Sequence, residues 1–156
     1  MKGESVITWL WAIGPALFGF ALPPTPALAQ NSGPEDTVDA FHAALAAGDS
    51  TLALTFLSSD VVIFESGGAE MSREEYRSHH LGADIEFSMS TTREITDRRV
   101  EAGEDVAVVL TRSATTGTFR EHEIDSTGVE TMVLAHTGDG WVILHIHWSS
   151  RRSPTD

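Results

Sequence analysis

The chain has 156 residues and a formal net charge of −13 at pH 7, from 23 acidic and 10 basic side chains. This acidity argues against nucleic acid or anionic lipid as a partner, because both require a basic surface. The sequence contains no cysteine, which excludes disulfides, thiolate catalysis and cysteine-ligated zinc. A chain of this length allows one domain with an ordinary hydrophobic core.

The first 29 residues predict a signal peptide. Lys2 supplies a short basic region, residues 6–22 are mostly apolar, and Ala27-Leu-Ala29 is typical of a cleavage site. The alternative is an uncleaved membrane anchor, but the apolar run is short for a span and is followed by Pro23 and Pro24. We therefore expect a mature chain that begins at Gln30, is periplasmic or extracellular, and has no membrane contact after cleavage.

The next part of the chain predicts three helices and one strand after a short linker at residues 30–36. Capping patterns predict helix starts near Ser32, Asp49 and Ser72, and the third helix would reach about Ala83. The β-branched and apolar run from Asp60 to Glu65 predicts a strand, which the following glycines would end.

After these helices the pattern changes to long strands. Strands are expected over 87–101, 106–116 and 119–136, the last either as one strand or as a pair bent around Gly128, and finally over 141–150. Helices followed by antiparallel strands indicate an α+β domain, with the helices against one face of the sheet.

The closing strand has side chains on both faces that look covered, which favours a central position in the sheet. Successive side chains of a strand point to opposite faces. One face is expected to carry Val142, Leu144, Ile146 and Trp148. The other is expected to carry Trp141, Ile143, His145 and His147.

Four pieces of sequence resemble the nuclear-transport-factor-2-like superfamily and its SnoaL-like branch. They are the helix end Ala46-Ala-Gly-Asp49, the strand Asp60-Val-Val-Ile-Phe64, the Gly-Gly turn before the Ser72 helix, and Trp-x-Ile-x-His-x-His-x-Ser from Trp141 to Ser149. The resemblance implies a SnoaL-like domain over residues 37–151, followed by a tail at 152–156. The implied fold is a cone-shaped barrel, in which a strongly bent antiparallel sheet wraps around three N-terminal helices and leaves a pocket. It also implies a homodimer through the outer sheet face.

Members of this superfamily include isomerases, dehydratases, hydrolases and proteins that only bind, so the fold does not decide the chemistry. We expect an exported domain that binds a small-molecule ligand in its pocket. The alternatives are an acid–base isomerase or hydrolase that uses a pocket carboxylate, and a histidine-based zinc or copper binding protein.

Glu65 and Glu130 are the candidate catalytic groups. Each adjoins an apolar run, and an apolar pocket would raise the pKa of a carboxyl toward that of a general base. Asp84, which lies before the strand region, is a further candidate. The alternative is that all three are strand-end or turn carboxylates in water.

Ligand binding is predicted for Tyr76, His80, Arg112 and Trp148. Tyr76 could donate a hydrogen bond to a ligand or lie in the core. Arg112 could pair with Glu65 or Glu130, or clamp an anionic ligand. Trp148 stands where the similar kinase association domain has an arginine, which argues against an anion pocket of that type.

Paired histidines could bind a metal. His145 and His147 are two residues apart on a strand and could meet His79 or His80, and imidazole suits zinc or copper. Alternatively, the strand pair lies on the dimer face outside the pocket. Three further histidines have no partner pattern and are predicted to be surface residues: His42, His122 and His136.

Overall fold

A computed structural model describes residues 33–154 of the chain. Over this range it contains four helices and six strands. They are α1 (Pro34–Ala46), α2 (Ser50–Thr55), β1 (Leu57–Glu65), β2 (Gly68–Glu70), α3 (Arg73–His79), α4 (Leu81–Ser90), β3 (Thr91–Ala102), β4 (Val106–Phe119), β5 (His122–Thr137) and β6 (Gly140–Arg152). The predicted signal peptide and the start at Gln30 lie outside the described residues. Between residues 33 and 154 no helix has the length and apolar character needed to span a membrane.

The predicted α+β class is confirmed, with one correction to the sheet. The six strands form a single sheet in the order β2-β1-β6-β5-β4-β3, so β6 is an inner strand, as predicted. The sheet is mixed, however, because β1 runs parallel to β6 and pairs Ile63 with Ile146. Parallel neighbours require a long connection, and the two later helices and four strands between β1 and β6 provide it.

The helix prediction needs two corrections. A break at His80 separates α3 from α4, so residues 33–154 form four helices instead of the three predicted. The strand predicted from Phe87 is also wrong at its start, because α4 continues to Ser90. Leu81 and Ile85 both pack on the core at helical spacing, and this packing overrides the short alternating pattern around Phe87.

A β-bulge in β6 changes the predicted faces of the closing strand. Leu134 of β5 pairs with Ile143, whereas the preceding Val133 pairs with His145, so Leu144 is the extra residue. Ile143 and Ile146 are fully buried, and Leu144 is 37% exposed. Two expected placements are therefore wrong: Leu144 does not share the face of Ile146, and Ile143 shares that face instead of the face of His145 and His147.

The core lies between α1 and the concave face of the sheet. The α1 side chains Val38, Phe41 and Leu45 are buried against strand residues such as Met132 and Ile146. Each buried side chain of this size stabilises the fold by about 1.5–3 kcal/mol relative to exposure.

Further along β4, the inward-facing positions change from apolar to hydroxyl side chains. They are Thr111, Ser113 and Thr115, and all three are buried. The core is therefore apolar at one end of the concave face and polar at the other.

Candidate functional site

The polar end of the concave face holds a cavity of about 350 Å³. Side chains from α1, α4 and the sheet line it. Its ionisable lining residues are His42, Glu65, Asp84, Arg93, Arg120 and Glu130, and its aromatic ones are Phe87, Phe119 and Trp148. The cavity therefore combines an apolar surface with carboxylates of two different environments.

Glu130 is the buried anion on one side of the cavity, with a side chain only 4% exposed. Its Oε2 contacts His42 Nε2 at 2.6 Å and accepts a hydrogen bond from Trp148 Nε1 at 2.7 Å, and its Oε1 accepts one from an Arg93 NH2 nitrogen at 3.2 Å. Burial alone would raise the pKa of Glu130, but the charge and hydrogen bond of His42, together with Arg93 and Trp148, lower it to about 2.

Strand register and one aromatic stack set this arrangement. Glu130 on β5 pairs directly with Trp148 on β6, so the two side chains lie side by side on the concave face. Trp148 stacks on Phe41 of α1 with ring centroids 6.4 Å apart. His42 follows Phe41 in the same helix, which brings its ring to Glu130.

His42 is a functional residue that the sequence prediction missed. It was expected on the surface, but its side chain is only 18% exposed and lines the cavity. Its spacing from Val38 and Leu45, which both face the core, is the signal that could have identified it. His122 and His136 are exposed, as predicted.

Glu65 and Asp84 form the second carboxylate group of the cavity. Burial raises the pKa of both side chains, and the charge of Asp84 raises the pKa of Glu65 further. Asp84 Oδ2 accepts a hydrogen bond from the Tyr76 hydroxyl at 2.8 Å. Tyr76 is fully buried, and burial followed by the Asp84 charge raises its pKa strongly, so it remains a donor.

A contact between a half-exposed histidine and a buried carboxylate also acts on these carboxyl groups. The His80 ring contacts the Glu70 carboxylate through Nδ1, and Glu70 is buried. The charge of His80 lowers the pKa of Glu65 and Asp84, against the larger effect of burial. His80 and Tyr76 thus influence the cavity through Asp84 and Glu65, and neither side chain lines it.

The sequence profile of the SnoaL-like domain matches residues 35–153. The chain belongs to the SnoaL-like domain family. The match spans the described helices and strands, and it confirms the resemblance found in the sequence. No curated protein gave a significant match.

Solved structures similar to this SnoaL-like domain share its cone fold. A provisionally assigned ketosteroid isomerase from Shewanella frigidimarina is 35% identical, with a TM-score of 0.70 over 73% of this chain and 92% of that one. A dehydratase, also provisionally assigned, from the NTF2-like family of Streptomyces avermitilis is 18% identical, with a TM-score of 0.67 over 76% and 94%. A Xanthomonas campestris protein, provisionally a calcium/calmodulin-dependent protein kinase II association domain, is 22% identical, with a TM-score of 0.63 over 77% and 86%.

Of the predicted ligand-binding residues, Trp148 lines the cavity of the SnoaL-like domain and Arg112 does not. Arg112 is exposed on the convex face of the sheet, because its neighbours Thr111 and Ser113 face inward. The predicted pairing of Arg112 with Glu65 or Glu130 is wrong, since the arginine that contacts Glu130 is Arg93 of β3. A shift of one residue along a strand moves a side chain from the concave to the convex face, so the sequence alone did not fix the face of Arg112.

The histidines predicted to share a metal do not converge within the described chain. His145 and His147 lie beside Phe64, and His145 Nδ1 lies 2.8 Å from the Val62 carbonyl oxygen. Among residues 33–154, no three histidine, aspartate or glutamate side chains are arranged to hold a metal. Zinc or copper binding by His79, His80, His145 and His147 stays a prediction without a preformed site in this range.

Proposed function

We propose that this SnoaL-like domain is an isomerase that moves a proton on a small carbonyl compound. The observation that carries the proposal is the carboxyl pair Glu65 and Asp84, whose pKa values are both raised by burial at one cavity. A base that takes a proton from the carbon next to a carbonyl works best with a pKa near the working pH. Burial of a carboxyl in an apolar pocket supplies that shift.

Asp84 is the proposed acid–base group. The Tyr76 hydroxyl is hydrogen-bonded to Oδ2, which fixes the carboxyl and leaves Oδ1 to accept the proton and return it at another carbon. The charge of Asp84 raises the pKa of Glu65, and the charge of Glu70 adds to burial in raising the pKa of Asp84, because like charges disfavour ionisation. The protein named as a ketosteroid isomerase, 35% identical to this chain, supports the same reaction class.

Glu130 has a different proposed role from the one that its sequence context first suggested. A pKa near 2 makes its carboxylate a weak base at neutral pH. Its three contacts instead hold His42, Arg93 and Trp148 in fixed positions around the ligand. The N–H groups of Arg93 that do not contact Glu130, and the second ring nitrogen of His42, can then bind ligand oxygens without first reorganising, whereas Trp148 already donates its single N–H to Glu130.

The cavity supports a small ligand with an apolar body. Its volume of about 350 Å³ is near the lower end of the range for small-molecule sites, which is roughly 300–1,000 Å³. Leu45, Phe87 and Phe119 supply apolar contacts. Binding without turnover remains the alternative function and would use the same surface.

The test is proton exchange next to a carbonyl. A panel of small enolisable ketones is incubated with the protein in deuterated water, and loss of the α-proton signal is followed by NMR. We expect exchange above the buffer rate for at least one ketone. The Asp84→Asn substitution should slow it by about 10²–10⁴-fold. Glu74→Gln, at an exposed glutamate paired with Arg77, is the matched control and should leave the rate unchanged.

Two results would contradict the isomerase. One is exchange that Asp84→Asn leaves intact. The other is a ketone that changes the tryptophan fluorescence through Trp148, as judged by loss of the change in Trp148→Phe, but exchanges no proton. The second result would identify the domain as a binding module.

Export, dimerisation and metal binding are further proposals. The Ala27-Leu-Ala29 pattern supports export to the periplasm or outside the cell, and recovery of Met1 by N-terminal sequencing of the exported protein would disprove cleavage. The similar association domain bears a name that denotes assembly, which fits a homodimer. Zinc or copper binding is tested by calorimetry. The proposal requires an affinity for the metal that the His147→Ala substitution abolishes.

A further inference from the structure

A second cavity, of about 220 Å³, lies on the convex face of the sheet. Its lining residues are Arg112, Thr127, Val129, Ser149, Ser150 and Arg151. We refer to these six residues as the arginine groove. It brings together Arg112, which the sequence singled out as an anion clamp, and a second arginine from the end of β6.

Sheet register explains why the two arginines share this groove. Arg112 of β4 pairs with Val129 of β5, which pairs with Ser149 of β6. Thr127, two residues from Val129, pairs with Arg151. Residues paired across strands face the same side, and so do residues two apart, so both arginines project from the convex face on either side of β5. Their strands are about 10 Å apart, within reach of two long side chains.

These arginines lack the partners that other arginines of the chain have. Five arginines form ion pairs with carboxylates: Arg77, Arg93, Arg98, Arg99 and Arg120. Within residues 33–154, neither Arg112 nor Arg151 hydrogen-bonds or pairs with any side chain or carbonyl. Asp97, the cross-strand neighbour of Arg112, makes no ion pair with it either. Two arginines that line one groove and have no carboxylate partner among the described residues are unexpected in a protein with a net charge of −13.

We propose that the arginine groove binds a small tetrahedral oxyanion, of the phosphate or sulfate class. Each guanidinium offers several N–H donors in a planar fork, and Thr127 and Ser149, which share the face of the arginines, add hydroxyl donors. Donors that approach from two flanking strands and from the strand between them suit an anion with oxygens in several directions. An anion would also relieve the repulsion between the two arginines.

The test is phosphate binding by the purified full chain in a buffer free of phosphate and sulfate. Titration is followed by calorimetry and by the ³¹P NMR line width. We expect saturable binding that Arg112→Gln and Arg151→Gln each weaken by about tenfold or more, because each removes charged hydrogen bonds. Arg99→Gln, on the neighbouring strand and paired with Glu101, is the matched control and should leave the affinity unchanged.

Two further arms define the ligand class. Sulfate should compete with phosphate, whereas acetate, a planar anion, should compete much less. Asp97→Asn should strengthen phosphate binding, because it removes the carboxylate nearest in register to Arg112. The proposal is overturned if phosphate binding does not saturate, if the double variant Arg112→Gln/Arg151→Gln binds as tightly as the parent, or if acetate competes as well as sulfate.

Discussion

At the scale of single residues, one cavity separates carboxyl groups into two classes. Glu130 contacts three donors and has a pKa near 2, whereas Glu65 and Asp84 are half-buried, have fewer partners and have raised pKa values. Carboxyl groups of one cavity therefore have opposite pKa shifts, because their partners differ, and the proposed function uses Glu130 as a permanent anion and Asp84 as the proton carrier.

Replacing Asp84 with asparagine should raise the stability of the fold at high pH while it slows the proposed proton exchange. Since its pKa in the folded state is above the reference value of 3.8, the native state holds the proton more tightly, and this contribution is lost as pH rises through the folded pKa. The Asp84→Asn substitution keeps an acceptor for the Tyr76 hydroxyl. Because the asparagine cannot ionise, the variant does not lose stability as the pH rises. We expect a higher melting temperature than the parent at pH 8, a smaller difference near pH 4, and slower proton exchange. A variant less stable than the parent at pH 8 would contradict this assignment.

Replacing Glu130 should have the opposite dependence on pH. Its pKa falls from 4.5 to about 2 on folding, so ionised Glu130 stabilises the native state above pH 4.5, and this stabilisation is lost as pH falls toward 2. Glu130→Gln should cost about 3 kcal/mol at pH 7, as expected for breaking a buried charge pair. Urea unfolding at pH 7 and pH 3 measures the effect, which should shrink at the lower pH. An equal loss at both values would exclude an ionised Glu130.

Residue roles could be predicted from the sequence only where the local pattern fixes the face of an element. Glu65 and Trp148 do line the cavity, as a carboxylate after an apolar strand and an aromatic residue on an inner strand tend to do, and their roles at the site stay predictions. Arg112 and His42 were misplaced, because the face of one depends on strand register and the partner of the other is 88 residues away. Such long-range pairs leave no periodic signal.

At the scale of elements, the join between α4 and β3 depends on a glycine in the neighbouring strand. Gly117 of β4 has φ +149, a conformation that favours glycine, and a Cβ there would lie 2.6 Å from the Ser90 carbonyl oxygen and 2.8 Å from Thr91 Cα. Since both atoms belong to the backbone at the end of α4, the clash cannot be relieved by a side-chain rotation.

Gly117→Ala should therefore destabilise the fold by about 3 kcal/mol, from overpacking and backbone strain together. The measurement is chemical unfolding of the variant beside the parent. Gly138→Ala is the matched control, because a Cβ there meets no atom within 4 Å, and its stability should change little. Equal stability of the two variants would show that the α4–β3 join moves freely.

Helices and strands were predicted correctly where one hydrophobic pattern extends over many residues. The prediction failed where a short run fits both the helical and the strand pattern. The apolar residues of α1 at helical spacing, and the apolar runs of β4 and β5, lie in the kinds of element that they predicted. The segment after Ile85 did not, because a short run such as Glu86-Phe-Ser-Met-Ser90 fits a strand locally and only its packing on the core selects a helix. The bulge at Leu144 could not be predicted from the sequence either, because it depends on how β6 pairs with β5.

At the scale of the whole molecule, the convex sheet face is the surface available for a second copy. Phe64 is 41% exposed and Leu110 is 38% exposed on this face, and the half-buried Val108 of β4 and Val133 of β5 add to the same face. His145 and His147 extend the same surface beside Phe64. Apolar side chains gathered on one face of a sheet are typical of an interaction site.

We therefore predict a homodimer through the convex face, which sedimentation equilibrium should detect. Leu110→Asp places a charge in the apolar surface and should give monomers, whereas Met71→Asp, at an exposed methionine between β2 and α3, should not. Salt provides a second criterion. Each copy carries a net charge of −13, so two copies repel each other, and added salt should strengthen association by screening that repulsion. An interface held by ion pairs would weaken in salt instead. A monomer at all salt concentrations, or a dimer that Leu110→Asp leaves intact, would rule out this face as the interface.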